Sequence, residues 1–210
     1  MRRQEFSMAE EREEVERFLE EMTFGFLGTA GEDGFPHIKP INYVFHKGSF
    51  YIHGSKIGQK MTDIRQDERV SFAVAKEYAI IPSYFSDPKF ACPATSFFKS
   101  VYITGRATVL EDIAEKAEAL EAFMRKLQPE GGYDPITQED EAYVPRIRGV
   151  AVMKIEVESM NAKFKFGQNQ PQAKMETIAA ALEQRGRELD PETAELMRKY
   201  CPHHANTPAE

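Results

Sequence analysis

Apolar positions along this chain follow two different periods. Met8, Val15, Phe18, Leu19 and Met22 recur at helical spacing, with charged residues between them. They predict a helix over about 8–22, opened by the capping box Ser7-Met8-Ala9-Glu10. Residues 24–30 are apolar and run into the turn signal Gly31-Glu32-Asp33-Gly34. A strand is expected over 36–45, a turn at His46-Lys47-Gly48, and a further strand from Phe50-Tyr51-Ile52. Tight turns between these strands favour an antiparallel meander over parallel units with helical crossovers.

The helical period returns over 56–67, where Ile57, Met61 and Ile64 share a side. Residues 70–74 read as a strand, 76–96 as a Pro- and Ser-rich loop, and 97–110 as a long strand. Ile113, Ala117, Leu120, Met124 and Leu127 mark a helix over 112–127. Gly131-Gly132, Pro135 and Pro145 punctuate a second loop over 128–148, and 149–157 is the last expected strand. Two C-terminal helices close the pattern, one over 172–185 and one opened by Asp190 as N-cap with Pro191 behind it. Five or six antiparallel strands with peripheral helices predict one β-barrel domain over 1–170, followed by a helical extension and tail over 171–210.

Charge changes this picture in one respect. The net charge is −7, which argues against direct nucleic-acid binding and against adhesion to an anionic membrane. The acids are unevenly placed, however. Residues 34–62, 88–110 and 160–175 contain no Asp or Glu and hold ten Lys and Arg, while the N-terminal helix region is strongly acidic. No run approaches the roughly 18–20 apolar residues of a membrane-spanning helix, and the N-terminus lacks the apolar region of a signal peptide. Cys92 and Cys201 allow at most one disulfide. A reducing, cytoplasmic setting is expected.

There is no GxGxxG after a strand and no GxxxxGK[ST], so a Rossmann or P-loop enzyme is not expected. Neither GxSxG nor paired catalytic carboxylates stand out, so any chemistry should ride on a cofactor. Cys201-Pro202-His203-His204 has metal-like composition but no second half-site, and reads as a tail. The informative stretch is His53-Gly54-Ser55-Lys56-Ile57-Gly58-Gln59-Lys60, at a strand-to-helix junction. Ser55 can cap the helix, open N–H groups there attract an anion, glycines allow close approach, and Lys56 and Lys60 lie one helical turn apart. These residues suit a terminal phosphate, with Lys60 the better ligand; they equally describe a capped helix with solvated lysines. Pro40-Ile41-Asn42-Tyr43 could flank a planar ring or form plain core. Lys163-Phe164-Lys165-Phe166 alternates charge with aromatics, and Gln168-Asn169-Gln170 either faces water or binds something polar.

Taken together, PHIKPINYVF (36–45), FYIHGSKIGQKMTDIRQDERVSF (50–72), the isolated Cys92 before FFKSVYITGRATVLED (97–112), EKAEALEAFM (115–124) and KFKFGQNQP (163–171) resemble the FMN-binding split-barrel superfamily. These are the pyridoxamine 5′-phosphate oxidase-like proteins, and within them the chain is most similar to the nitroimidazole-resistance (Nim-type) branch. The match covers roughly 1–175. It implies a mainly β fold with peripheral helices, a six-stranded antiparallel split barrel, and a homodimer with two FMN sites at its interface. It assigns the phosphate to Lys60 and Ser55 with Gln59 nearby. His53, at the end of the strand carrying Ile52, would lie beside the flavin, Pro40, Ile41, Asn42 and Tyr43 would run along the ring, and Lys39 and Ile52 are further expected cofactor contacts. Ser100 with Lys99 would reach the flavin from a neighbouring strand. Phe166, Gln168 and Asn169 would come from the partner subunit.

The implied activity is an FMN-dependent oxidoreductase that passes electrons from a small-molecule donor to a small acceptor such as a nitroaromatic. His53 is the one weak candidate for proton donation, and a mere flavin contact is the preferred reading. The C-terminus lacks the Arg-rich motif of true pyridoxamine-phosphate oxidases, so that activity is not expected. A non-catalytic FMN-binding or redox-sensing regulator is the alternative. A haem or deazaflavin binder ranks lower, because His53 has no second ligand beside it.

Overall fold

The structure is a computed structural model and describes residues 4–9 and 11–202. Those residues fall into two compact units. One holds the described residues within 10–74 and 101–160; the other holds those within 1–9, 75–100 and 161–210. The unit boundary falls inside three long strands.

In chain order the elements are α1 (Arg12–Glu21), β1 (Phe24–Ala30), β2 (Pro36–Asn42), β3 (Val44–His46), β4 (Ser49–Gly54), α2 (Gln59–Gln66), β5 (Arg69–Ile81), β6 (Thr95–Val109), α3 (Ile113–Leu127), α4 (Val144–Gly149), β7 (Ala151–Lys165), α5 (Gln172–Arg185) and α6 (Asp190–Lys199). The strands form one sheet in the order β2-β1-β5-β6-β7-β4-β3. Pairing is antiparallel for β1 with β2 and β5, and for β4 with β3 and β7. The architecture is therefore mainly β with peripheral helices, consistent with a split barrel.

The sheet has seven strands and is not closed, where six were expected. The reason lies at Tyr43. The expected strand 36–45 is two strands, β2 and β3, that stand at opposite ends of the sheet order. Tyr43 bridges them. Its ring is fully buried between Phe50 and Phe72, its N–H donates to the Thr23 carbonyl (3.2 Å), and its hydroxyl donates to the Leu19 carbonyl (2.9 Å). A large amphipathic ring satisfies both demands at once, since its body fills the core and its O–H finds a partner.

Inward positions alternate along β1, where Leu27 is buried between exposed Phe26 and half-buried Gly28. The helix α3 docks by Ala119, Ala122 and Phe123 onto Val44, Tyr51 and Val152. Its start is fixed by Asp112, whose carboxylate accepts the Glu115 N–H (2.7 Å), and its last turn carries Arg125 and Lys126. Lys126 donates to the Leu19 carbonyl at the end of α1 and lies over the Tyr43 ring. Burial lowers its pKa to about 8.

The other unit has its own core. Phe166 stacks on Tyr200 and packs against Phe97 and Tyr78, with Met175, Ile178, Leu182 and Met197 of α5 and α6 buried as well. Asp190 begins α6 but does not cap it: its carboxylate takes the Arg185 guanidinium and the Arg187 N–H.

Other expectations shift at the ends of elements. The helix expected over 8–22 begins at Arg12, and no side chain caps it. Ser7 instead bridges to Lys163; Glu10, the other half of the expected capping box, lies outside the described residues. The loop expected over 76–96 is strand as far as Ile81, where Pro82 stops it. The last strand runs past 157 to Lys165, so the KFKF alternation is a strand signal. The loop expected over 128–148 holds the short helix α4.

Candidate functional site

The strand-to-helix junction after β4 is the most chemically loaded part of its unit. Here α2 begins at Gln59, not 56, and its N-cap is Gly58 at φ 110°, a conformation few other residues adopt. Ile57 is correspondingly outside the helix and 82% exposed. Ser55 does not cap α2 either, because its hydroxyl accepts the Ile57 N–H (3.2 Å). The Met61 and Thr62 N–H groups return to the Gly58 carbonyl, and those of Gln59 and Lys60 open the helix without intrahelical partners.

Lys60 reaches back over this junction. A Cβ placed on Gly54 would sit 3.0 Å from its ammonium, so the glycine makes room for the lysine. Burial lowers the Lys60 pKa, and the nearby charge of Lys39 lowers it further. Among the described residues Lys60 has no carboxylate or hydrogen-bond partner. His53 packs edge-on against Phe123 (4.6 Å), and its pKa falls by desolvation and by the charge of Lys60. Neutral imidazole is therefore the favoured form.

Lys39 is differently placed. Its ammonium donates to Asp63 (3.0 Å) and to the Thr29 hydroxyl (3.4 Å). Asp63 is 2% exposed and accepts on one oxygen from Thr29 (2.7 Å), from Lys39 and, at 2.9 Å, from Nδ1 of His37. Burial pushes the carboxyl up, but these hydrogen bonds from Thr29, His37 and Lys39 outweigh it and hold the pKa down at about 2. Nε2 of His37 faces the Gln59 amide nitrogen (3.2 Å). One neutral tautomer satisfies both contacts, with the proton on Nδ1 and Nε2 accepting from Gln59. Thr29, Asp63, His37 and Gln59 thus form a continuous hydrogen-bonded chain from the sheet to the start of α2.

Sequence reasoning missed Thr29, His37 and Asp63. The signal was present in part: His37 and Lys39 alternate onto one face of β2. Asp63 lies one residue beyond an acid-free window, and its burial is a product of tertiary packing.

Of the expected ring-flanking residues, Pro40 and Asn42 are exposed and Ile41 is half-buried, with Asn42 tied to the Thr23 carbonyl. The side chains of Tyr43 and Ile52 are fully buried, so neither ring nor branch faces a ligand and only their backbone is available.

The second set of expected contacts, Lys99, Ser100, Phe166, Gln168 and Asn169, belongs to the other unit. Three of these side chains serve the interior. Lys99 is 8% exposed and lies over the Tyr78 and Phe164 rings; Phe166 is core. Gln168 accepts the Phe166 N–H and donates to the Phe164 carbonyl, both at 2.7 Å, clamping the turn at Gly167. Ser100 donates weakly to the Lys163 carbonyl (3.5 Å), and Asn169 is exposed.

A cleft of about 530 Å³ between α2 and the ends of β5 and β6 does not compete with the junction. Its Arg69 and Arg106 are already paired with Asp67, Glu68 and Glu158. Among the described residues no group of His, Cys, Asp or Glu could hold a metal ion, both cysteines are free thiols, and no helix is long and apolar enough to cross a membrane. His203 and His204 lie outside the described residues.

The sequence profile of the family described as pyridoxamine 5′-phosphate oxidase matches residues 11–164. The chain belongs to that family. Solved structures agree on the fold. One named for 5-nitroimidazole antibiotic resistance, from Bacteroides thetaiotaomicron, superposes with a TM-score of 0.58 at 21% identity, covering 72% of this chain and 82% of that one. The flavocytochrome Anf3 of Azotobacter vinelandii gives 0.60 at 22%, covering 73% and 67%. A FAD- and haem-binding protein of Mycobacterium smegmatis gives 0.61 at 16%, covering 80% and 77%. No curated protein matches. Within this family member, Lys60, unpaired among the described residues, and the open start of α2 are the features that fit an anionic group.

Proposed function

We propose that the chain is a homodimeric flavoprotein that binds FMN and works as an oxidoreductase on small acceptors of the nitroaromatic class. One observation carries the reading: Lys60, partly desolvated and without a counter-ion among the described residues, beside the N-terminus of α2, which no side chain caps, and next to Lys39. A phosphate meets these demands together, because it takes backbone N–H donors, a hydroxyl and an ammonium at once. Asp63 already offsets Lys39, which leaves Lys60 as the cation for the ligand. Family membership and the names of the superposed structures support a flavin in particular, and one of those names supplies the acceptor class.

In this reading Lys60, Ser55 and the first N–H groups of α2 hold the phosphate. Gln59 is oriented for it through His37 and Asp63. Pro40, Ile41 and the backbone at Tyr43 offer an apolar edge to the ring. His53, held neutral, contacts the ring rather than delivering a proton to it. Bound flavin supplies two-electron redox chemistry; the protein positions it and tunes its surroundings. The second copy would cover the exposed apolar face of β1 and β2, where Phe24, Phe26 and Ile38 are 45%, 46% and 69% exposed.

Absorbance of the purified protein tests the cofactor: two flavin bands support the reading, and a haem Soret band would sink it. Lys60→Ala is expected to weaken FMN binding about tenfold or more in a fluorescence titration, the loss typical of a charge-assisted hydrogen bond. Lys47→Ala, which removes only an exposed partner of Glu118, should leave it unchanged. Riboflavin, lacking the phosphate, should bind both variants alike. Stopped-flow reduction with NAD(P)H, then reoxidation by a nitroaromatic, tests turnover; failure of every donor would leave a flavin-binding regulator in its place.

A further inference from the structure

His37 sits in a cradle built closely around its ring. Its Nδ1 lies 2.9 Å from the buried Asp63 carboxylate and its Nε2 3.2 Å from the Gln59 amide nitrogen. Gly31 backs the ring and is not at positive φ, so it serves close approach rather than backbone freedom. A Cβ there would fall 2.6 Å from Cε1 and Nε2 and displace the imidazole. Beside the ring is a cavity of about 290 Å³, lined also by Glu32, Asp33, Gln59, Thr62 and Asp63. The charged groups that face His37 are Glu32 and Asp33 from the β1–β2 turn, Asp63 from α2, and Lys39 of β2 through its pair with Asp63. Asp33 Oδ1 stands 3.6 Å from Nε2, just beyond hydrogen-bond reach. Lys60 lies further out and is coupled to Lys39 by charge. Asp63, held at about 2, stays ionised through mild acid.

The contact with Gln59 depends on the charge of the imidazole. Neutral His37 donates from Nδ1 to Asp63 and accepts at Nε2 from the Gln59 amide. A protonated imidazole has two donors and no acceptor, so two N–H groups would face each other across 3.2 Å. The Gln59 amide then turns its oxygen to Nε2, or Nε2 passes to Asp33 and releases it. Both responses free the amide N–H groups of Gln59, the first residue of α2. We propose that His37 is a proton-linked positioning residue: its protonation turns the Gln59 amide nitrogen away from the ring and adds a donor for the phosphate, so the site holds that anion more tightly in mild acid. The proposal rests on the reading of Lys60 and the start of α2 as the phosphate site. Imidazole is the side chain suited to such a device between pH 5 and 8.

The test is FMN affinity by fluorescence titration on the full chain from about pH 8 to about pH 5.5. It is read as the ratio of parent to His37→Asn, in which the phosphate's own titration cancels. Asn keeps an N–H donor for Asp63 where Nδ1 stood but ends short of Gln59. On acidification the ratio is expected to move about tenfold in favour of the parent, the worth of one hydrogen bond to a charged group. A flat ratio overturns the switch. Introducing His37→Asn into a Gln59→Ala background should abolish the shift; a shift that survives means that His37 acts by charge alone, which overturns the positioning role. Should His37→Asn fold poorly, the ratio of parent to Gln59→Ala, a change at an exposed side chain, should show the same acid-dependent rise. Riboflavin, lacking the phosphate, should show no shift in either ratio. The phosphate reading fails separately: Lys60→Ala then binds FMN as tightly as the parent at every pH, whereas a flat ratio in a protein that needs Lys60 removes the switch alone.

Discussion

At the scale of single residues, Asp63 is the most consequential side chain in the junction. Its folded pKa of about 2 lies below the ordinary value of 3.8, so the folded state holds its proton less tightly than the unfolded chain. The resulting stability is fully present above pH 4 and is lost as pH falls through 4 toward 2. The shift corresponds to about 2 kcal/mol. Asp63→Asn is therefore expected to lower unfolding stability by about that amount at pH 7, with the gap to the parent closing between pH 4 and 2 in urea titrations. An unchanged gap at pH 2.5 would mean that packing, not charge, is what Asp63 supplies. The sequence exposed the cations of this junction but not their counter-ion. Lys60 stood out as a lysine at a glycine-containing strand-to-helix turn, a pattern that describes a capped helix with solvated lysines equally well. Gln168 took a third course: three adjacent amides left water or a polar ligand open, whereas this one satisfies the backbone of its own turn.

At the scale of elements, most helices and strands were visible as periodicity, and their ends were not. The β5 strand continues through Lys76 and Glu77 to Ile81, since a polar pair is tolerated where one face meets solvent; local composition had suggested a loop. The split at Tyr43 left no trace in the sequence, because a single residue carries the chain from one edge to the other. Close approach is equally silent. A Cβ on Gly105 of β6 would lie 2.1 Å from the Glu156 carbonyl oxygen of β7, so the two backbones meet where only glycine fits. Gly105→Ala is expected to destabilise the protein by about 1–3 kcal/mol, read as a fall in Tm. Gly149→Ala, whose Cβ would meet nothing, should stay near the parent. Similar Tm values for the two would show that β6 and β7 separate at little cost.

At the scale of the whole molecule, the net charge of −7 averages two populations. Most of the acids sit on helices and loops, with Glu77, Glu156 and Glu158 on strands, and the acid-free stretches supply the lysines at α2 and those at the end of β7 and the start of α5. Self-association should follow the apolar face of β1 and β2: Phe26→Lys combined with Ile38→Lys is expected to turn a dimer into a monomer in sedimentation velocity, and an unaltered sedimentation coefficient would place the contact elsewhere. The bridge at Tyr43 has its own consequence for that face. Exposed edge strands are prone to slide and to recruit strands from other chains. Here the two terminal strands of the sheet are consecutive in the chain and joined by one residue pinned at its N–H, its ring and its hydroxyl. A slip of β2 by one pair must drag β3 with it and pull an aromatic ring out of the core, so the registers of both edges are fixed as a single variable.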